Sequence, residues 1–305
     1  MGYKTAAIAI LLNRHRSSIY REINRNKCND GAYRVEKAGS RTRGRRSRSR
    51  KHQYISDEKM SKVFFLIRKK YSPEQVSGFL KKTENISISH ETIYKRIWAD
   101  KKNGGCLYKY LRQSSKVRWK RYKGNNSRGK LLNKPMIDAR PISINERSEF
   151  GHWEIDLVHG RGSKHCVLTL VERKTGYLLM GKLINKTVIE TNRRLMKLMS
   201  KSPKIFKSIT ADNGTEFHGY KEIQQKSNLQ YYFCHPYHSW ERGTNENTNG
   251  LIRQYLPKKS SMTNLTQVEC TKISKELNER PRKRYDYDSP EKLFIETFKN
   301  VALVT

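Results

Sequence analysis

The chain has 305 residues, enough to bury a substantial core and, by its size, to form two or three domains. Its 64 Lys and Arg residues outnumber 28 Asp and Glu residues, so the formal net charge is +36, which predicts a polyanionic partner. Nucleic acid is the simplest such partner, and a ribosome-associated role is the alternative. No run reaches the roughly 18 apolar residues of a membrane span. Five scattered cysteines indicate reduced thiols, so we expect a cytoplasmic, nucleoid-associated protein.

Residues 5–26 have the pattern of a helix-turn-helix. Apolar residues recur at helical spacing before a polar turn, and Ser17 or Ser18 is placed to cap a second helix. In this motif the second helix meets base edges and phosphates. The residues expected to contact DNA there are Arg16, Ser17, Tyr20, Arg21 and Arg25. An ordinary helical hairpin is the alternative.

The stretch from Arg41 to His52 is dense in Arg, Ser and Lys and has no apolar periodicity. This composition predicts a flexible cationic arm that lies on DNA phosphates, through Arg45 and Arg46, and not a packed element. A solvated linker is the alternative. Residues 1–54 are therefore predicted to form a helix-turn-helix module with a basic arm.

Residues 55–145 are predicted to hold a second helix-turn-helix and a basic linker. Ser72, Pro73 and Gln75 predict a helix that starts with a capping box, and Ser89 is placed to cap the next helix. The inner face of that helix is expected to carry Ile93, Ile97 and Trp98. Its outer, DNA-facing side is expected to carry Tyr94, Lys95 and Arg96. In the linker after residue 100, Trp119 is a candidate for stacking on bases.

Residues 146–264 change to short apolar strands that alternate with helices, the pattern of an α/β domain. Strands are expected at 153–158, 165–172, 177–183, 205–211 and 230–234, the second and third joined as an antiparallel hairpin by a turn at Gly176. A helix with a capping box, formed by Thr187 and Glu190, separates the third and fourth strands. Residues 265–305 are expected to add two closing helices. A basic cluster of a size to bind a phosphate lies between these helices, with a solvated loop as the alternative, and comprises Arg280, Arg282, Lys283 and Arg284.

Three acids follow strand or turn patterns in the α/β domain. Asp156 alternates with large apolar residues in the first strand, and Asp212 follows the fourth. Glu246 falls on the first turn of a helix in which Gly243 provides the preceding turn and Thr244 the cap. Two strand carboxylates and one helix carboxylate are the oxygen ligands that Mg²⁺ prefers. Two such ions, with Mn²⁺ as a substitute, would support in-line phosphodiester chemistry.

Along the same helix, Asn249 and Arg253 share a polar face with Glu246 before Pro257 stops the pattern. A phosphate fits along that face, so Asn249 is also expected to contact DNA. Glu154 is a rival metal ligand, disfavoured because it would lie about 6–7 Å from Asp156 along the strand. A separate metal site is an alternative for Cys234, His235 and His238, which are more simply interpreted as groove or surface residues.

Three stretches, taken with the acids, resemble the DDE transposases of the insertion sequence 30 family. They are Gly151-His152-Trp153-Glu154, Arg242-Gly243-Thr244-Asn245-Glu246-Asn247-Thr248-Asn249-Gly250 and Leu277-Asn278-Glu279-Arg280-Pro281-Arg282-Lys283. The resemblance extends over nearly the whole chain. It implies an α/β RNase H-like catalytic core, a mixed sheet flanked by helices, preceded by all-α helix-turn-helix modules that bind DNA.

The resemblance also implies roles for the site residues. Asp156 and Asp212 would bridge or hold the metal ions, Glu246 would hold the second ion, and Arg253 would steady a phosphate. The implied reaction is cleavage of double-stranded DNA at the inverted terminal repeats of an insertion element, followed by strand transfer to target DNA. Because two ends must be held together, at least a homodimer is expected.

Alternatives to this function remain open at the level of sequence. Relative to the family, a helix before residue 5 is missing, so we expect an N-terminal truncation. A truncated, catalytically silent copy that binds DNA ends as a regulator is therefore the alternative function. A retroviral-type integrase or a structure-specific nuclease is the nearest enzymatic alternative.

Overall fold

The computed structural model describes residues 3–49, 55–112, 134–162, 164–236, 238–258 and 260–302. The chain divides into two compact units, Met1–Ser56 and Asp57–Thr305. Within the described ranges, no helix is both long enough and apolar enough to cross a membrane.

The first unit contains three helices, α1 (Thr5–Leu11), α2 (Arg16–Asn26) and α3 (Val35–Ser49). Helices α1 and α2 pack together across a short turn, as a helix-turn-helix requires. Neither Ser17 nor Ser18 is the cap of α2, so that prediction was wrong. The His15 side chain caps it instead, accepting a hydrogen bond from the Ser17 backbone N–H at 3.3 Å.

Helix α3 corrects the prediction of a flexible cationic arm. Residues 41–49 of the predicted arm are helical, whereas residues 50–52 lie outside the described ranges. Arg41 donates to the backbone oxygen of Asn26 at 3.0 Å, and Arg45 donates to the buried Asn26 side chain at 2.7 Å. Guanidinium groups therefore hold α3 against the C-terminal end of α2, where carbonyl groups attract cations. Packing of this kind cannot be predicted from the spacing of apolar residues in the sequence.

The second unit begins with α4 (Asp57–Arg68), α5 (Pro73–Glu84) and α6 (His90–Lys102). The predicted capping box of α5 is confirmed, because the side chains of Ser72 and Gln75 each accept from the other's backbone N–H. The cap of α6 by Ser89 is confirmed as well. Trp98 was predicted to face inward, but it is 50% exposed, and Lys101 lies over its ring. Trp119 lies outside the described ranges.

A five-stranded sheet forms the centre of the second unit. Its strands are β1 (His152–His159), β2 (Cys166–Glu172), β3 (Leu178–Leu183), β4 (Ser208–Ala211) and β5 (Gln230–Phe233). The spatial order is β3-β2-β1-β4-β5, with the first three strands antiparallel and with β4 parallel to both β1 and β5. The flanking helices are α7 (Ile142–Glu146), α8 (Val188–Met199), α9 (Tyr220–Ser227), α10 (Gly243–Ile252), α11 (Gln267–Asn278) and α12 (Pro290–Ala302).

The predicted order of strands and helices is confirmed, including the β2–β3 hairpin, where Gly176 has a φ of +71°. One local detail was wrong. Thr187 accepts from the Glu190 backbone N–H at 3.3 Å, but the Glu190 carboxylate accepts from the Ile184 backbone N–H at the same distance. Glu190 therefore fastens the start of α8 to the end of β3 and does not complete a capping box.

The two faces of the sheet pack against different helices. On one face Trp153, Ile155 and Leu157 of β1 belong to the larger apolar core, which α8, α9 and α12 cover. On the other face Val158 packs with apolar residues of α10 and α11. Because side chains alternate along a strand, Asp156 shares the face of Val158 and is directed toward α10. The fold thus places one predicted metal ligand beneath the helix that carries another.

The stretch from Gly151 to Trp153 joins β1 to the segment before β4. Gly151 has a φ of +101°, and a Cβ atom there would lie 2.9 Å from the Ile205 carbonyl oxygen, so only glycine fits. Trp153 donates from its indole nitrogen to that same oxygen at 3.1 Å. His152 is hydrogen-bonded to the Ser208 hydroxyl at 2.7 Å. These contacts fix β1 beside β4, which is the pairing that carries the acidic residues.

Helix α11 protects the exposed edge of the sheet. Asn278, which is 3% exposed, accepts from the Leu178 backbone N–H at 2.8 Å and donates to its carbonyl at 2.9 Å. At the other end of α11, Gln267 accepts from the Lys182 backbone N–H and donates to the Met180 carbonyl. Two amide side chains thereby satisfy the edge strand β3, which would otherwise be open to pairing with another chain.

Arg280 fits neither interpretation of the basic cluster after α11, a phosphate site or a solvated loop, because it is buried. Its side chain is 1% exposed and donates to the side chains of Gln254 and Tyr255 at 2.9 and 2.8 Å. Lys283, in contrast, is exposed and pairs with Glu74 at 2.7 Å. Arg280 therefore anchors the turn that follows α10.

We expect Asn278→Ala to lower the free energy of unfolding by about 3 kcal/mol, because it leaves a buried N–H and a buried carbonyl of β3 without partners. Urea unfolding followed by circular dichroism measures this loss. Lys272→Ala, on the exposed face of the same helix, should stay within about 0.5 kcal/mol of the parent. Equal stability of the two variants would contradict the assigned role of Asn278.

Candidate active site

The first two predicted acids lie side by side at the ends of neighbouring strands. Strands β1 and β4 are parallel, and their register pairs Glu154 with Thr210. Two residues further along each chain, the same register brings Asp156 beside Asp212, which directly follows β4. Parallel strands direct their carboxyl ends to one edge of a sheet, which places the two carboxylates together.

Arg242 joins the two carboxylates. Its guanidinium lies 3.3 Å from Asp156 Oδ1 and 3.1 Å from Asp212 Oδ2, and it also donates to the Ile155 carbonyl at 3.2 Å. Burial raises the pKa of Asp156, and the positive charge of Arg242 opposes that rise. Burial would lower the pKa of Arg242, but the two carboxylates raise it above its usual value. A single cation is thus shared by both acids.

Glu246 lies on the first turn of α10 and is exposed. It precedes Asn249 by three residues, so the two side chains lie on one face of α10, and Arg242 is the residue that precedes the helix. Asn249 donates to Asp156 Oδ2 at 2.7 Å. Because Asn249 contacts Asp156, the face of α10 that carries Glu246 is directed toward the acid pair. Asn249, predicted to contact DNA, is here a partner of Asp156.

The start of α10 differs from the prediction. Gly243 has a φ of −57° and open space around it, so the turn does not require glycine. Thr244 is not the cap, because it lies within the first turn and its hydroxyl accepts from Arg147 at 2.9 Å. The helix ends at Ile252, before Pro257 is reached.

Glu154 has a different role from the three acids. It is fully buried, forms an ion pair with Arg173, and accepts from the Asn245 backbone N–H at 3.0 Å. A carboxylate at this position stabilises the positive end of the α10 dipole. Glu154 therefore holds the N-terminal end of α10 on the sheet, and both of its oxygens are already bonded.

Arg253 holds the other end of the helix. It donates to the His159 carbonyl at 2.8 Å and to the Leu256 carbonyl at 3.3 Å, and burial lowers its pKa. His159 is the last residue of β1, so Arg253 ties the C-terminal end of α10 to the same strand that carries Asp156. The predicted contact of Arg253 with a phosphate stays a prediction.

The remaining predicted DNA contacts fall on the helices of the two units. In the first unit the exposed residues are Arg16, Tyr20, Arg21, Arg25 and Arg46, whereas Ser17 and Arg45 are partly buried. Arg21 donates to the Ser17 hydroxyl at 3.1 Å. On α6 of the second unit the exposed residues are Tyr94, Lys95 and Arg96. The predicted outward face of α6 is therefore confirmed as exposed, and its contact with DNA stays a prediction.

Arg242 is the site residue that the sequence reasoning missed. Its position four residues before Glu246 was available as an indication, but an arginine beside two acids in space cannot be inferred without the parallel β1–β4 register. Asp156 and Asp212 already share one positive group, so their donor atoms fit a divalent cation. Glu246 is placed to supply a third oxygen ligand from α10.

We expect Arg242→Gln to lower the free energy of unfolding by about 2–3 kcal/mol in metal-free buffer, because two neighbouring carboxylates lose their counter-charge. Saturating magnesium should restore at least half of that loss by supplying positive charge at the same place. Urea unfolding with and without magnesium measures both effects. Arg193→Gln removes an exposed pair with Glu190 and should cost less than about 1 kcal/mol under either condition. If magnesium restores none of the loss, the acids are not the cation site.

Comparisons with known proteins identify the family of the chain. Residues 146–239 match the family described as "Integrase core domain". The fold there, a mixed five-stranded sheet flanked by helices, is RNase H-like, and the elements that the structure describes before it are helices. The catalytic core domain of BIV integrase is a similar solved structure, with a TM-score of 0.40 and 15% identity over 50% of this chain and 99% of that one.

Similar sequences extend over almost the whole chain. The transposase for insertion sequence element IS4351 of Bacteroides fragilis is 39% identical over 94% of this chain and 89% of its own length. Transposase InsI for insertion sequence element IS30A of Escherichia coli (strain K12) is 35% identical over 94% of this chain and 77% of its own. The chain therefore belongs to the insertion sequence 30 family of DDE transposases.

Proposed function

We propose that the protein binds the inverted terminal repeats of its insertion element and catalyses metal-dependent cleavage and strand transfer of DNA. The observation that carries the proposal is the pair of Asp156 and Asp212, which the Arg242 guanidinium bridges. Glu246 lies on the face of α10 that is directed toward this pair. Membership in a transposase family and the integrase core supports the same chemistry. No observation favours the alternative of a silent regulator.

The geometry of the acids supports the catalytic assignments that we propose. Asp156, Asp212 and Glu246 would hold two Mg²⁺ ions, for which Mn²⁺ would substitute. Such ions, when bound, activate the attacking oxygen and stabilise the leaving one in an in-line displacement. Asn249 holds the Asp156 carboxylate in position, and Arg242 keeps the two carboxylates together. Arg253 is proposed to steady a phosphate with the donors that its two carbonyl contacts leave available.

DNA recognition is assigned to the helices that precede the core. We assign residues 1–54 and 55–145 to two helix-turn-helix modules with their basic segments, 146–264 to the catalytic core and 265–305 to the closing segment. The compact first unit ends at Ser56, close to the first of these boundaries. The net charge of +36 favours binding to the phosphates of element ends and of target DNA in the nucleoid. Holding two ends together would require at least a homodimer.

We expect Glu246→Gln to reduce strand cleavage by at least about a thousand-fold while DNA binding is retained, because a metal ligand is lost but no positive charge is. The assay incubates the full chain with magnesium and a labelled duplex carrying the element end, and detects new 3′-hydroxyl ends. Glu291→Gln makes the same change on α12, across the sheet, and should cleave like the parent. Cleavage by Glu246→Gln at the parent rate would overturn the assignment of Glu246.

We expect the pair Lys95→Ala and Arg96→Ala to weaken binding to the element end and to reduce the slope of log K against log salt by about two, because two phosphate contacts are lost. Binding titrations between low and moderate salt measure the slope. The pair Lys272→Ala and Lys275→Ala on α11 removes the same charge and should leave the slope nearly unchanged. Equal effects of both pairs would contradict a specific role for the exposed face of α6.

A further inference from the structure

The loop between β5 and α10 gathers two histidines and a glutamate. Ligand atoms of His235, His238 and Glu241 all lie within 4.8 Å of one another. Glu241 Oε1 lies 2.8 Å from His235 Nδ1 and 3.4 Å from His238 Nδ1. One carboxylate oxygen therefore faces the Nδ1 atoms of both rings. The residues are spaced three apart, so a single short loop supplies the whole cluster.

The second nitrogen of His235 has a partner of its own. Its Nε2 lies 2.9 Å from Asp138 Oδ2, outside the cluster. A histidine that binds a metal through one nitrogen commonly donates from the other to a carboxylate, which fixes the ring and its tautomer. Asp138 is in the position of such a supporting carboxylate. His238 Nδ1 is buried and makes no hydrogen bond to any part of the chain that the structure describes.

We propose that His235, His238 and Glu241 form a binding site for a transition-metal ion such as Zn²⁺, separate from the acids of the active site. Imidazole nitrogen and carboxylate oxygen bind Zn²⁺ at about 2.0–2.2 Å, which places tetrahedral ligand atoms about 3.4 Å apart. The present separations scatter around that value, so small side-chain rotations complete the set. A water molecule would take the fourth position. Mg²⁺ prefers all-oxygen ligands and is disfavoured at two imidazoles.

A metal ion bound at Glu241 would affect the geometry of the active site through the next residue in the chain. Arg242, which bridges Asp156 and Asp212, directly follows Glu241 in the chain. Without an ion, His235 and Glu241 form a hydrogen-bonded clasp, in which the Glu241 carboxylate contacts the backbone N–H and the Nδ1 atom of His235, each at 2.8 Å. An ion would replace this clasp with three bonds and hold the entry to α10 more rigidly.

The first test measures bound zinc on the purified full chain. The protein is equilibrated by dialysis against Zn²⁺ in a large excess of Mg²⁺, which occupies the carboxylates of the active site but does not compete for imidazole. We expect elemental analysis to find one zinc ion per chain. His238→Ala and Glu241→Gln should each lose it, whereas His90→Ala, at an exposed helix start, should retain it. No zinc on the parent would show that the clasp is only a hydrogen-bonded one.

The second test uses Co²⁺ and thermal unfolding to locate the ion. Co²⁺ at a four-coordinate site with nitrogen ligands absorbs visible light more strongly than at a six-coordinate all-oxygen site. We expect this absorption, and a rise in Tm with Zn²⁺, in the parent and in Asp212→Asn but not in His238→Ala. Loss in Asp212→Asn and retention in His238→Ala would place the ion at the acids and overturn the proposal. Neither readout depends on DNA cleavage, so its outcome is independent of the Glu246 assay.

Discussion

The interaction on which the structure of the site depends is the pair of bonds from Arg242 to Asp156 and Asp212. The parallel register of β1 and β4 brings two carboxylates together, and like charges at short range oppose that arrangement. A positive group between them makes the register tolerable in the absence of a metal ion. The same requirement for positive charge is what makes the place suitable for divalent cations.

Three polar contacts with one strand help to position helix α10. Glu154 accepts from the helix start, Asn249 donates to Asp156 in the middle, and Arg253 donates to the His159 carbonyl near the end. All three partners belong to β1. Apolar packing through Leu251 and Ile252 adds the remaining anchorage. Because buried polar groups are costly when unpaired, this set of contacts specifies both the rotation and the height of the helix on the sheet.

The order of elements could be predicted because the strands are short apolar runs and the helices have clear starts, such as Ser72 and Ser89. The position of Glu246 on a first helical turn was also predicted, although the expected cap, Thr244, lies within that turn and Arg242 precedes the helix. The role of Arg242 could not be predicted, since it depends on the pairing of β1 with β4. Helix α3 was missed because Arg41 and Arg45 hold it through guanidinium contacts, which leave no apolar stripe in the sequence.

The bridge of Arg242 also limits how the active site can be filled. A divalent ion held by Asp156 and Asp212 would compete with Arg242 for the carboxylate oxygens that the guanidinium already contacts. Its donor to the Ile155 carbonyl is independent of the acids and can keep the side chain near the site. A guanidinium kept there would be available to a phosphate held by the bound ions.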